Sequence, residues 1–390
     1  MKRDRHRHND DEKEDRLSYL PECVLLHILS FLNAKHAVQT CILSTRWNNL
    51  WKFLPTLRLR SSYFDTMDGF TQFIDHILSL RDDSTSLDYL RFTSTSDSMM
   101  EPQQFERILK YAVSHNIQQL RIAVNYNIEH VPGCIFSCHM LTCLKLYILD
   151  PATTPLFPNS LNLPALTNLS LVRFLFPSSN DGRAEPFSGL KKLNSLTIRF
   201  CKVSDAQILC ISSATLADLT IQTFQTRNYR KIELSTPNLS IFAYGGTPFE
   251  KLCGSHLCSI KQVNIDAYMC LNYNAEPPSN LLSWLIELTE IKSLAVTATT
   301  LQVLSLVPDL LKVKFHSLRN LKSLRVKMEG ISSVTSNTMV DGKFVRLSER
   351  HQEEVANFRK AIFKEGSPDI PHGIIGFLLQ NSPSAKTLYH

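Results

Sequence analysis

The stretch "LSYLPECVLLHILSFL" (17–32) carries apolar side chains round almost the whole of a helix: Cys23, Val24, Leu25, Leu26, Ile28, Leu29, Phe31 and Leu32. The spacing predicts a helix over 22–32, entered at Pro21, whose missing N–H costs nothing in a first turn, and stopped at Asn33. A second short helix is predicted over "AKHAVQTCIL" (34–43), with Ala37, Val38, Cys41 and Ile42 at helical spacing. A third, over "TRWNNLWKFL" (45–54) and capped by Ser44, puts Trp47, Leu50, Trp51 and Leu54 on one face. A unit of about 40 residues buries too little surface to be stable alone without a staple. This one nevertheless has more apolar surface than three short helices hide. The excess is either a binding face or a face packed on the rest of the chain, and periodicity leaves both open.

From Leu54 onward the pattern becomes a short motif, Leu-x-x-Leu-x-Leu, at irregular intervals. It reads LPTLRL (54–59), LDYLRF (87–92), IQQLRI (117–122), LTCLKL (141–146), LTNLSL (166–171) and LNSLTI (193–198). It continues as LADLTI (216–221), LSIFAY (239–244), IKQVNI (260–265), IKSLAV (291–296) and LKSLRV (321–326). The intervals between the fourth positions, from Leu57 to Leu324, average about 27 residues, within the range of leucine-rich repeats. The last three positions form an alternating strand with one apolar side, and stacking the copies in parallel buries that side continuously. The connecting segments bring the chain back: "EPQQFERILKYAVSHN" (101–116) reads as a helix, whereas "DPATTPLFPNSLNLP" (150–164) holds too much proline for one.

The predicted fold is therefore α/β, an irregular solenoid of parallel strands with helical or irregular returns. In such a solenoid the residue between the last two apolar positions faces the concave side: Arg91, Arg121, Lys145, Ser170, Thr197, Thr220, Ala243, Asn264, Ala295 and Arg325. The ends of the arc are then basic and its middle small and neutral. This suits a target with acidic contacts at its ends. Intervals of 30 to 33 residues at both ends leave room for insertions.

Composition narrows the function. The chain has 390 residues, is 43% hydrophobic and 20% charged, and carries a net charge of +6, too mild to indicate nucleic acid by itself. The first 16 residues, "MKRDRHRHNDDEKEDR", hold six basic and six acidic side chains and read as a solvated, disordered arm. The apolar run after it is too short to span a bilayer, so no membrane partner is expected. Ten cysteines without a signal peptide point to a reducing compartment, cytoplasmic or nuclear. "HVPGCIFSCHM" brings His130, Cys134, Cys138, His139 and then Cys143 together, but the spacing is not that of a zinc site, and core cysteines are the expectation. With 12 glycines, no phosphate-cradling loop and none of the H-E-x-x-H, G-x-S-x-G or G-x-G-x-x-G patterns, the chain offers no catalytic signature, and no cofactor is expected.

The helical unit resembles a known family. "DRLSYLPECVLLHILSFLNAKHAVQTCILSTRWNNLW" is similar to the plant form of the F-box: the opening Leu17, Leu20 and Pro21, the "ILSFL" core, the "AVQTCILS" second helix and the "RWNNLW" close, with a departure at His36. The resemblance implies docking on the Skp-family adaptor, and through it the cullin, of an SCF-type ubiquitin ligase. By position, Leu20, Pro21, Val24, Ile28, Leu29 and Leu32 would meet the adaptor, and Arg46, Trp47 and Trp51 would close the interface or the unit's own core. "FLLQNSPSAKTL" (377–388) resembles the closing segment of plant F-box proteins with leucine-rich repeats, some of which end in an FBD-type domain. Before it, "RLSERHQEEVANFRKAIFKEG" (346–366) reads as one charged helix.

The expected organisation is a charged arm (1–16), an F-box (17–54), a repeat solenoid (55–330) and a C-terminal loop, helix and capping segment (331–390). The function that follows is that of a non-catalytic substrate receptor whose repeats, through the concave-face residues, hold a target protein for ubiquitination. An interaction scaffold without ubiquitin transfer and a small-ligand sensor are the alternatives.

Overall fold

The computed structural model describes residues 19–94, 100–125, 131–179, 181–223, 229–268, 277–307, 310–313, 315–328 and 373–389. The predicted charged arm, Leu17, His130, the 331–345 loop and the 346–366 helix lie outside them.

The chain enters α1 (Glu22–Ser30) through an extended Pro21 and turns at Phe31 and Leu32. Asn33 does not merely end that helix. Its side chain accepts a 3.0 Å bond from the His36 N–H and starts α2 (Ala34–Gln39). The predicted third helix is not formed as an α-helix: residues 45–49 turn, Asn49 takes a left-handed conformation (φ 70°), and a 3₁₀ segment covers Leu50–Phe53. Its face is kept all the same, since Trp47, Leu50, Trp51 and Leu54 are all buried. Ser44 caps nothing there; its hydroxyl is buried without a partner among the described residues. The end of α1 is fastened to the first strand, because the Ser30 carbonyl accepts from Thr56 Oγ1 at 3.2 Å and from Arg58 Nε at 3.1 Å.

Every one of the eleven motifs becomes a strand of a single parallel sheet. Its first members are β1 (Thr56–Arg60), β2 (Tyr89–Ser94), β3 (Gln119–Val124), β4 (Cys143–Ile148) and β5 (Asn168–Val172). Short outer strands then interleave: β6 (Leu175–Phe176) and β7 (Arg183–Ala184) precede β8 (Ser195–Arg199), and β9 (Lys202–Val203) and β10 (Ile208–Ser212) precede β11 (Asp218–Gln222). Next, β12 (Lys231–Ser235) precedes β13 (Ile241–Gly246), and β14 (Lys251–Gly254) precedes β15 (Gln262–Ala267). β16 (Ser293–Thr297), β17 (Ser323–Lys327) and a twelfth strand, β18 (Lys386–Tyr389), complete the main sheet in the order β1-β2-β3-β4-β5-β8-β11-β13-β15-β16-β17-β18.

Register follows from the apolar pattern. The fourth motif positions lie side by side in one row: Leu57, Leu90, Leu120 and Leu144 at its start are each at most 4% exposed, and Leu324 at its end is fully buried. Slipping one strand by one residue would turn its whole apolar set to solvent, which fixes the pairing.

Repeat length decides how the chain returns. The long intervals are filled by helices, α3 (Met67–Leu80) and α4 (Pro102–Ser114) at one end, α5 (Pro277–Glu287) and α6 (Ala298–Ser305) at the other. The shorter middle intervals cannot hold a helix and return through the parallel outer sheet β14-β12-β10-β7. There the proline-rich 150–164 segment fills the interior with Phe157, whose ring meets Phe136, Phe174 and Phe176 at centroid distances of 5.6 to 5.9 Å. At the far end α7 (Ile374–Gln380) packs Phe377 on Phe315 (5.5 Å), and Asn381 Oδ1 accepts from the Phe315 N–H at 3.0 Å. The core runs without interruption from Leu25 to Leu378, so the helical unit and the solenoid share one interior.

Candidate protein-docking surfaces

The first surface lies on the helical unit. Leu25 and Leu29, one turn apart on α1, are fully buried. On the other side Pro21, Val24, Ile28 and Phe31 form a stripe open to solvent, with Phe31 66% exposed. Leu29, expected to meet the adaptor, instead fills the chain's own core; Trp47 and Trp51, expected to close either the interface or the unit's own core, are buried in that core, where they hold the helices in place. Leu20 and Leu32 are half-buried and pack against that core. Arg46 is exposed, and its guanidinium donates to the Leu20 carbonyl, tying the entry of α1 to the turn before Trp47.

Sequence reasoning missed the most exposed apolar side chains, Ile42 (87%) and Tyr19 (77%), with Leu43 beside Ile42 at 61%. Helical spacing had placed Ile42 with Ala37 and Cys41. After Gln39 the chain tightens to a 3₁₀ turn over Thr40–Ile42, which rotates Ile42 off the buried side.

The second surface is the concave face of the main sheet. Its central row is continuous in register: Arg58, Arg91, Arg121, Lys145, Ser170, Thr197, Thr220, Ala243, Asn264, Ala295 and Arg325 sit opposite one another from β1 to β17. Most of these side chains are half-buried, Ala295 is buried and Arg325 is exposed. Arg58 belongs to this row although the sequence reading began it at Arg91. The signal was available, since Arg58 holds the same motif position in the first copy.

Two cavities open here. One, of about 300 Å³, lies where α1 and α2 meet the first strands and is lined by His36, Arg58, Arg60, Tyr63 and Arg91 among others. The other, of about 290 Å³, lies over β11–β17 and is lined by Gln222, Tyr244, Asn264, Asp266, Thr297 and Lys327 among others.

Beneath the second cavity Tyr244 carries a hydroxyl in an otherwise apolar inner row. Its Oη lies 2.8 Å from the Thr247 carbonyl and 2.9 Å from both Glu250 Oε2 and Thr223 Oγ1. The hydroxyl is placed to donate to Glu250 Oε2 and to the Thr247 carbonyl, which also accepts from the Phe249 N–H at 2.8 Å. Burial, with Glu250 only 1% exposed, pushes its carboxyl up to about 7, against the opposing hydrogen bond from Tyr244. An unfolded chain gives up the carboxyl proton near the ordinary glutamate value of 4.5. Between the two values the unfolded state binds fewer protons, so stability falls as pH rises through that window. The expected loss is on the order of 2–3 kcal/mol. Thermal melts across this range should show a decline for the native chain and a flatter profile for Glu250→Gln, whose amide oxygen still accepts from Tyr244. Equal slopes would refute the upward shift of the Glu250 carboxyl.

Of the cysteines beside the zinc-like spacing, Cys138 is buried with its thiol toward the Ile117 carbonyl, Cys134 and Cys143 are half-buried, and the His139 ring meets Asn162 at 3.0 Å. Among the described residues no three His, Cys, Asp or Glu side chains gather to hold a metal ion, and no helix is long and apolar enough to cross a membrane.

Comparison with known proteins agrees with this architecture. The family model of the F-box domain matches residues 17–59, that is, both helices, the 3₁₀ close and the start of β1. An F-box/LRR-repeat protein of Arabidopsis thaliana is 26% identical over 321 residues, covering 79% of this chain and 67% of the relative. A second F-box/LRR-repeat protein of that plant is 24% identical over 349 residues, covering 83% and 89%. An F-box/FBD/LRR-repeat protein from it is 26% identical over 379 residues, covering 93% and 77%. A helical F-box running straight into a parallel leucine-rich-repeat sheet is thus the architecture in which this chain is similar, along most of its length, to plant F-box/leucine-rich-repeat proteins.

Proposed function

We propose that the chain is the substrate-recognition subunit of an SCF-type ubiquitin ligase. Residues 17–54 dock on the Skp-family adaptor, which links them to a cullin, and the repeat arc over 55–330 holds a target protein for ubiquitination. The chain does no chemistry of its own: it works by proximity, turning an encounter between the target and the ubiquitin-charged enzyme into an effectively intramolecular one. The observation that carries this reading is the open apolar stripe of Val24, Ile28 and Phe31, together with the exposed Ile42 and Leu43, on a unit that matches the F-box domain. Such a patch on an otherwise well-buried chain marks a protein interface.

The test is co-elution of the full chain with a Skp-family adaptor on size exclusion. A stable complex at micromolar concentration is expected, and separate elution of the two proteins would refute adaptor docking. Both cavities sit at the lower limit of about 300 Å³ for small-molecule sites and open onto the concave face, which favours their use by side chains of a bound protein over a free ligand.

A further inference from the structure

The first five strands of the main sheet hold five cationic side chains, Arg58, Arg60, Arg91, Arg121 and Lys145, and not one carboxylate. Some cations elsewhere on the chain are paired: Arg107 with Asp75, Lys110 with Glu106, and Arg183 and Lys231 with Glu233. None of the five has an ion-pair partner among the described residues. Four of them are stacked in register, Arg58 beside Arg91 beside Arg121 beside Lys145, on strands about 4.8 Å apart. Like charges set directly opposite one another destabilise a sheet. This ladder is therefore a standing electrostatic cost that a counter-charge would remove.

The ladder is also held in place. The Arg58 guanidinium lies over the Tyr89 ring at 5.1 Å and that of Arg121 over Tyr147 at 5.2 Å, which limits their freedom before any ligand arrives. Arg121 Nε is buried with no hydrogen-bond partner among the described residues. At the β1 end the ladder runs into the cavity of about 300 Å³, where Arg58, Arg60 and Arg91 converge with His36 and Tyr63.

We propose that the concave face of β1–β4 docks an acidic segment of the target protein, with one anionic group seated in this cavity. The proposal rests on the receptor reading and names the chemistry that its target must present. Three strand spacings span about 14 Å, the length of four or five residues of extended peptide. The segment is therefore short, with negative charge on most of its residues. The strip is narrow: on β2–β4 its flanking positions, Tyr89, Gln119 and Cys143 on one side and Thr93, Ala123 and Tyr147 on the other, are neutral. Tyr89 and Tyr147 each already carry a guanidinium on one ring face, which leaves less room for stacked bases. Both features favour a peptide over a nucleic-acid strand, whose recognition uses a broad basic groove and open aromatic platforms.

The test uses the full chain in complex with its adaptor and fluorescence anisotropy of a labelled Glu-Glu-Ser-Glu-Glu peptide. Its phosphoserine form, a Gln-Gln-Ser-Gln-Gln control and oligouridylate serve as comparators. The acidic peptides should bind, the glutamine control should not, and affinity should fall at least tenfold as salt rises from about 50 to about 300 mM. Arg91→Gln and Arg121→Gln should each weaken binding about 5- to 10-fold, the pair more, while Lys110→Gln on α4 changes it less than about twofold. Tighter binding of the phosphoserine form assigns the cavity to a phosphoryl group, and equal binding assigns it to carboxylates. Glutamine and acidic peptides binding alike, oligouridylate binding better than either, or ladder variants behaving like Lys110→Gln would each overturn the proposal. Retention of the adaptor by the ladder variants separates loss of the acidic site from failure of the receptor reading, in which the adaptor itself would not co-purify.

Discussion

Val24→Asp and Ile28→Asp should each abolish capture of a Skp-family adaptor while leaving the melting temperature of the chain unchanged. Both side chains lie on the open stripe of α1, at 37% and 36% exposure, and neither fills the core. In the free chain an aspartate there is solvated and costs little. In a complex it would be a charge buried against apolar surface, which costs at least about 3 kcal/mol, more than a hundredfold in affinity. Leu29→Ala separates surface from core. Leu29 is fully buried beside Leu25, so its truncation should cost about 2–5 kcal/mol of stability and weaken adaptor binding only by loosening the helices. Paired measurements of adaptor pull-down and thermal melting decide the matter: adaptor captured as before by both aspartate variants would sink the assignment of this stripe.

The second large effect is expected at Trp284. It is fully buried on α5, with its ring edge-on to Tyr244 at 4.6 Å and to Phe242 at 6.4 Å, and its indole N–H donates to the Glu250 carbonyl at 3.1 Å. Trp284→Ala removes the largest side chain of this part of the core, at a cost of about 3–5 kcal/mol, and also leaves that carbonyl unpaired. Because each repeat contacts only its neighbours, the damage should concentrate nearby. Hydrogen exchange is expected to quicken in β13, β15 and β16 while β1–β4 keep their protection. Uniform loss across all strands would show that the solenoid opens as one unit instead.

The strands were legible because the motif is three apolar positions in six residues, and parallel stacking demands that all three turn inward. The first positions show how strictly: Leu87, Ile117, Leu141 and Leu166 are fully buried. Of the outer strands, β6, β7 and β9 were not legible, being two residues long and too short for any alternation to register. The docking surface was legible in outline only. On a helix with apolar residues nearly all round, the pattern cannot assign Leu29 to the interior and Ile28 to the surface; packing of α1 against the later 3₁₀ segment Leu50–Phe53 makes that choice. Ile42 was lost because a period of 3.6 residues was carried one turn too far, into a segment that winds with three.

The Ser30 carbonyl, shared by Thr56 and Arg58, makes the last turn of α1 and the first strand of the arc one rigid piece. A lever has a fixed angle only if its fulcrum does not flex, and this joint has no linker in which to flex. Whatever grips α1 therefore also aims the sheet. Each strand along the arc lies about 5 Å further from that grip, so position on the sheet becomes a graduated scale of reach. The basic strands are the shortest marks on it, and a target tethered there leaves the longer marks free for its folded body.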